Sequence, residues 1–427
     1  MALFERDYWS RLWIVQEVLN AKDATIYCGS SRLSWSKCLL SHDTFIQHRS
    51  EINQQFPVGL RGGEQKQTGS LHQLSYSEVL IHYGPGSLPV VSQDTTLLQL
   101  LRTCRRKLCV DPRDKIFGLL GIMPENMQQD FRVDYDRSVK EAYIEVVDVL
   151  LSTTHRLDIV CESIHFPLSA NAHRLPSWVP DWSHNPKVVG LGLSFGFNAS
   201  KDTKAIYSFP GGSQNKIKIK AIQLGIVDVH GVPVGTFCKT ADFLMAFLHW
   251  RAVLLGNALL GPGAGGDRRK EVHDSFCRTL CLGQVPSDWK DHWTSVVYNL
   301  FGSMLSSRLP DLPLDKKLEK HLDSKHGVPT EQQREFLHHH ISSKMRGRTF
   351  CITKKGHVGM VTGFMTTGDE IIVPYGCRTP IVIRREGRHK EYRLIGDVYI
   401  DGFMDGLAIE MGTGEDKKLE RGWYKLH

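Results

Sequence analysis

Tyr8-Trp9-Ser10-Arg11-Leu12-Trp13-Ile14-Val15-Gln16-Glu17-Val18-Leu19 is the stretch on which the reading of this chain turns. Tyr8, Leu12, Val15 and Leu19 recur at i, i+4, i+7 and i+11, the spacing of one stripe on an α-helix, and Ile14 and Val18 widen it. Asp7 is placed to cap the start, while Asn20 and Lys22 suit the exit. Glu17 falls one turn beyond Trp13, which puts a carboxylate at a helix end or cleft rim. Ala24-Thr25-Ile26-Tyr27-Cys28-Gly29 follows with Ile26 and Cys28 on one side, the pattern of a strand. So apolar a helix and strand need layers on more than one face, and those layers are expected upstream of Met1. The chain therefore reads as N-terminally truncated, with Trp9, Trp13 and Glu17 on a face more open than their chemistry suggests.

With 427 residues, 41% of them hydrophobic and 23% charged, the chain has the make-up of a soluble protein with two or three domains. The net charge of +7 is spread thinly, which does not favour nucleic acid as a partner. The denser run Arg102 to Lys107 lies beside apolar helical positions and reads as a solvated helix face. Ten cysteines without regular spacing point to reduced thiols in the cytosol or nucleus, and no secretory signal opens the chain. His273, Cys277 and Cys281 can share one helical face, but no second pair stands near enough to complete a zinc site, so thiols are expected and metal is not. His338-His339-His340 reads as exposed imidazoles in a polar helix. The most apolar run, Phe243 to Leu260, carries His249, Arg251 and Asn257 and suits a buried or amphipathic helix, not a membrane span.

Ser34-Trp35-Ser36 looks like a capped helix start, residues 50–72 like a Gly-rich surface loop, and Leu97, Leu98, Leu101 and Leu108, between Thr95 and Cys109, like a helix. The sharpest local motif is Asp111-Pro112-Arg113-Asp114-Lys115-Ile116-Phe117-Gly118-Leu119-Leu120-Gly121. Two carboxylates and two cations within five residues could serve catalysis. The spacing equally suits Asp111 and Asp114 capping a short helix, Arg113 pairing with a neighbouring segment and the apolar residues packing inward, and the structural reading is preferred. Val133-Asp134-Tyr135 and a helix over Ser138 to Leu151 come next. In Leu175-Pro176-Ser177-Trp178-Val179-Pro180-Asp181-Trp182 the prolines exclude regular pairing, and Trp178 and Trp182 are expected to pack between layers rather than to hold a base or sugar.

Residues 184–215 read as strands and loops, and Lys216-Ile217-Lys218-Ile219-Lys220 as a half-exposed strand extended by Ile222, Leu224 and Ile226. Helices are expected over 240–305, broken by the Gly run at 261–266, which lacks the ending of a phosphate loop. The stretch 308–345 reads as a linker with one or two surface helices. From Arg348 to Ile409 the period becomes two, with short strands at Thr349–Thr353, Gly356–Val361, Glu370–Pro374, Pro380–Arg384, Tyr392–Gly396 and Val398–Ile400. Such spacing predicts a small antiparallel β barrel or sandwich. Arg384, Arg385, Arg388, His389 and Lys390 gather on one hairpin as exposed charge. The fold class is thus α+β, divided at residues 1–33, 34–183, 184–345, 346–409 and a tail at 410–427.

In their order, the motifs at Tyr8–Glu17, Cys28-Gly29, Asp111–Gly121, Val133–Tyr135 and Leu175–Trp182, with the strand set from Gly347 to Met404, resemble fungal heterokaryon-incompatibility (HET) domain proteins. The resemblance implies that residues 1–33 are the C-terminal remnant of a HET domain, a fold similar to Toll/interleukin-receptor (TIR) domains. It implies a role in fungal nonself recognition and programmed cell death, exercised through unidentified protein partners, without a membrane and without a cofactor. It also implies an alternative. Some TIR domains cleave NAD with a Glu that follows a Trp on a pocket-lining helix, and Glu17 with Trp13 as pocket neighbour is similar to that pair. Glu17 would then hold the ribose hydroxyls and stabilise charge at the anomeric carbon, with NAD as substrate. The phosphate-cradling loops would belong to the missing half, so the chain as it stands is not expected to be catalytic. Arg11, Asp111, Arg113, Asp114, Lys115, Trp178, Asp181 and Trp182 enter as structural motif residues.

Overall fold

The computed structural model of the chain describes residues 6–48, 51, 87–92, 95–123, 125–129, 131–164, 171–186, 188–212, 214–236, 238–257, 265–386, 390–413 and 419–427. Apart from residue 51, the expected loop at 50–72 lies outside the described residues, as does the Gly run at 261–264. The chain is α+β and divides into two compact units, Met1–Val149 with Trp182–Asn185, and Leu150–Asp181 with Pro186–His427.

In the first unit the expected helix from Tyr8 is broken. Asp7–Ser10 is a 3-10 turn, and the α-helix α1 spans only Ile14–Leu19. Between them Arg11 is extended, at φ −71° and ψ 142°, because its neighbours are hydrogen-bonded to another segment. Leu108 N donates to Ser10 O at 2.6 Å and Leu12 N donates to Leu108 O at 2.8 Å. Apolar spacing cannot reveal such a bridge, since both the extended and the helical backbone bury Leu12 and Val15. Trp9, expected on an open face, is instead 2% exposed and stacks on Trp35 at 6.1 Å. Trp13 is half-buried and Glu17 exposed.

The strands β1 (Thr25–Cys28) and β2 (Ser31–Ser34) form an antiparallel hairpin that leads into α2 (Trp35–Gln47), with Ser34 at the N-cap position. Thr96 caps α3 (Leu97–Cys104) through Gln99, each accepting a hydrogen bond from the other's backbone N–H. The helix α4 (Asp114–Leu120) lies against α1. Cβ atoms at Gly118 and Gly121 would fall 3.0 Å from Leu12 Cδ2 and 3.0 Å from Gln16 Oε1, so two glycines one turn apart set how closely the helices approach. The opening stretch and the Asp111 motif are therefore two halves of one contact. The helix α5 covers Val139–Thr154.

The second unit is a closed β barrel with a helical layer against one side. A short helix α6 (Leu191–Phe195) and the two-residue strand β3 (Tyr207–Ser208) occupy the region read as strands and loops. The long strand β4 (Ile217–His230) follows, then α7 (Thr240–Leu255), α8 (Gly266–Leu280), α9 (Trp293–Arg308) and α10 (Lys316–Leu322). The remaining strands are β5 (Arg348–Thr353), β6 (Val358–Thr362), β7 (Glu370–Pro374), β8 (Ile381–Glu386) and β9 (Glu391–Ile400); after α11 (Leu407–Thr413) comes β10 (Arg421–Leu426). Their order is β10-β4-β5-β6-β9-β8-β7, closed by β4 on β7 and by β10 on β9. The barrel thus draws two staves from outside residues 346–409. Register shifts at Gln223/Gly225 and Val227/Val229 let β4 bend from β10 past β7 onto β5.

Ile222, Leu224, Cys351, Val361, Ile371, Val382 and Ile400 fill the barrel interior. Phe350, Ile352, Met360 and Tyr399 join Phe247, Trp250, Phe276 and Phe301 of the helical layer in a separate core. Buried on both faces, β5 and β6 have no exposed residue, which explains why their sequences read as continuous apolar runs. Trp250 stacks on Phe350 at 5.7 Å and donates its Nε1–H to Val232 O at 2.8 Å. Gly231 leaves room for the indole, since a Cβ there would sit 2.1 Å from Trp250 Cδ1. Two expected strands, Tyr392–Gly396 and Val398–Ile400, are one strand here. Residues 308–345 do not form a linker, because Leu318, Val328, Leu337, Ile341 and Met345 are buried in the helical core. No helix among the described residues is long and apolar enough to cross a membrane.

Candidate functional site

Around Asp111 the charges of the sharpest motif are spent on the fold. The Asp111 carboxylate accepts from Arg113 N at 2.9 Å, Nε at 3.0 Å and Nη2 at 2.7 Å, and the guanidinium holds it below the usual carboxylate range. Arg113 Nη1 reaches the carbonyls of Tyr135 and Arg137, the latter at 2.8 Å. Asp114 accepts the Tyr135 hydroxyl at 2.7 Å, and burial with that carboxylate pushes the phenol up to about 12. Tyr143 OH donates to Pro112 O at 2.8 Å. Lys115 is buried and donates to the carbonyls of Arg105, at 2.7 Å, and Lys107.

Part of the run read as a solvated face is also inside. Lys107 is 4% exposed and donates to Trp9 O at 2.7 Å and Ser87 Oγ at 2.6 Å, and burial draws its ammonium down to about 8. Arg105 lies over the Trp182 ring at 5.0 Å and donates to His184 O at 3.0 Å. A lysine can be buried when its protons meet backbone carbonyls, but those carbonyls are folded into place by residues distant in sequence. No charge in the motif is poised towards a reacting group.

Glu17 accepts from Tyr8 OH at 3.3 Å. Trp13 Cε2 lies 4.0 Å from the position of a Cβ at Gly118, so the indole is engaged in the contact between α1 and α4. The exposed side of Arg11 follows from the bridge to Leu108.

In the second unit Trp178 is fully buried against Phe209, 6.0 Å between ring centroids. Beside it opens a cavity of about 220 Å³, lined among others by Ser163, Asn171, Asp181, Glu386, Arg393 and His427. Glu386 lies 3.3 Å from His427 Nε2 and 4.0 Å from Arg393 Nη1. Ser177 also lines the cavity, but its hydroxyl donates to the backbone oxygen of His427 at 2.5 Å and accepts from Leu394 N at 3.0 Å, which ties the motif to the barrel. Carboxylates beside a guanidinium and an imidazole suit a small polar molecule bound by hydrogen bonds. A second cavity, lined by Asp228, His230, His249 and Asn257 among others, opens between β4 and α7. Glu17 lines neither cavity.

Asp181, named from the sequence as a structural motif residue, lines this cavity, and Glu386, Arg393 and His427, which the sequence did not point to, line it from distant strands. Among the described residues no group of three or more His, Cys, Asp or Glu side chains could hold a metal. His273 and Cys277 on α8 and Cys281 at its C-cap are buried. His273 Nδ1 meets Tyr298 OH at 2.5 Å, and burial lowers the imidazole to about 4. Burial pushes the Cys281 thiol up to about 12 and Cys277 still higher. Of the expected basic hairpin, Arg384 is paired with Asp369 at 2.8 Å, while Arg388 and His389 lie outside the described residues.

Residues 315–418 match the Het-6 β-barrel domain family. Over 478 aligned positions the chain is 23% identical to heterokaryon incompatibility protein 6, OR allele, of Neurospora crassa. The alignment covers 96% of this chain and 66% of that relative, so the chain spans just under two thirds of the relative's length. No solved structure matches.

Proposed function

We infer, from the chain's place among the HET-type proteins with a Het-6 β barrel, that it acts in heterokaryon incompatibility, the rejection of unlike fungal partners after fusion. The match of residues 315–418, which fall on a barrel that closes here strand by strand, carries the reading. In keeping with what the resemblance implies, it acts by protein interaction and its engagement leads to programmed cell death; the charges of its sharpest motif are consumed in holding the fold, and the cavity beside Trp178 offers recognition groups. It works in the cytosol or nucleus, where its ten cysteines stay as thiols.

The test is a fusion assay between fungal strains carrying this chain and strains carrying sequence-divergent alleles. Unlike pairs should show growth arrest and dye-permeable hyphae while like pairs fuse and grow; unlike pairs that grow as well as like ones overturn the reading. The alternative, TIR-like cleavage of NAD by Glu17, is tested separately by nicotinamide release from NAD with the purified chain and its Glu17→Gln variant. Glu17-dependent release would establish it, and the exposed setting of Glu17 leads us to expect none.

A further inference from the structure

Towards the start of β4, where it pairs with the end of β10, one face of the strand pair carries cations that no ion pair among the described residues fully balances. Lys216, Lys218 and Lys220 point outward between buried Ile217, Ile219 and Ala221. Across the strand pair, Lys425 stands directly opposite Lys218 and Trp423 opposite Lys220. Like charges in that position repel, and such a pair does not arise from sheet stability. Trp423 is 47% exposed, with Lys218 Nζ 5.0 Å from its ring centroid. Glu391 is bridged by Lys216 at 2.7 Å and Lys425 at 2.9 Å, so those two charges are met. Among the described residues no ion pair reaches Lys218 or Lys220. Arg421 extends the row along β10, its Nε donating to Gly412 O at 2.5 Å.

We propose that this face docks an extended acidic segment of a partner protein, with alternate carboxylates on Lys218 and Lys220 and the segment's backbone running alongside Trp423. The proposal rests on the reading of the chain as an interaction protein. Alternate residues of a strand stand about 7 Å apart, and alternate side chains of an extended peptide repeat at the same distance. The charges are reached by solvent, Lys218 being exposed and Lys220 half-buried, so they set selectivity and association rate and are screened by salt. A single-stranded nucleic acid would need an aromatic face to stack on, and Lys218 lies over that of Trp423.

The probes are a fluorescent octapeptide of alternating Glu and Thr, its Gln-for-Glu counterpart, and oligothymidine, each titrated against the full chain. The acidic peptide should bind about tenfold more tightly than the Gln peptide, and the preference should fall as salt is raised. The double variant Lys218→Glu/Lys220→Glu should erase it, Trp423→Ala should weaken it about threefold, and Lys355→Glu, on the turn after β5, should leave it unchanged. Should the double reversal impair folding, Lys218→Gln/Lys220→Gln gives the same readout with a smaller loss. Equal binding of the two peptides, indifference to both double variants, or tighter binding of oligothymidine overturns the proposal. Acid-selective binding without a fusion phenotype would remove the incompatibility reading and keep the surface; a fusion phenotype that survives the charge reversal would do the opposite.

Discussion

In the first unit Lys115 and Lys107 drive ammonium groups into the interior to meet the carbonyls of Arg105, Lys107 and Trp9, and Asp111, Arg113, Asp114 and Tyr135 complete a polar lattice around α4. In the second unit Trp250, Phe350, Phe276, Phe247 and Phe301 interleave aromatic planes, with Phe247 on Phe301 at 3.8 Å, between a helical layer and strands covered on both faces. Polar lattices depend on direction and lose most when one partner is deleted. Aromatic layers depend on volume and lose most when a ring is removed or a space is filled. The same chain therefore contains regions with opposite tolerances.

Trp250→Ala should test the second of these most severely, costing about 4 kcal/mol by loss of the ring and of its bond to Val232 O. Gly231→Ala should imitate it from the other side by driving a Cβ into the indole. Both belong to the denaturation transition of the second unit; a loss confined to the first would break the comparison. Lys115→Met keeps the volume but strands two buried carbonyls, for which about 2–3 kcal/mol is expected from the first unit alone. If Lys115→Met is neutral in urea titration, the polar lattice does not hold that unit.

Acid provides a third probe. His273 has its folded pKa lowered to about 4 from 6.5, so the unfolded chain takes up the proton first and stability falls as pH drops from about 6.5 through 4. About 3 kcal/mol of the second unit's stability should disappear over that window, and His273→Gln should flatten the dependence. The smallest effect is expected of Tyr135→Phe, about 1 kcal/mol from the hydroxyl bond to Asp114, read as a small shift in the first unit's midpoint.

The strands from 348 to 400 were legible because a period of two survives wherever glycines and turn residues mark the ends. Gly396 misled for a physical reason: it looks like a strand break, yet it sits inside β9, where a Cβ would fall 1.7 Å from Thr362 O. The role of Ile217–His230 as a stave was hidden because pairing over such a separation leaves no local trace. Asp114, read as a cap, instead accepts the Tyr135 hydroxyl, and no side chain caps the start of α4; the reach of Arg113 to the neighbouring segment at Tyr135 and Arg137 was legible. The burial of Lys107 and Lys115 was not, because a charge reads as surface unless its distant carbonyls are known. For the same reason Trp178 and Asp181 could be named, but Glu386, Arg393 and His427 could not be joined to them.

The length and position of β4 bear on how the protein is made. It pairs with β10 at the far end of the chain, with β7 midway and with β5 after the whole helical layer. A ribosome releases β4 well before any of those partners exists, at about 5–20 residues per second. The helices that follow can fold on local contacts while β4 waits, so closure of the barrel should be the slow and final event of synthesis. A fragment cut at the limits of residues 315–418 would carry neither β4 nor β10, and would emerge as an open sheet with nothing to close it.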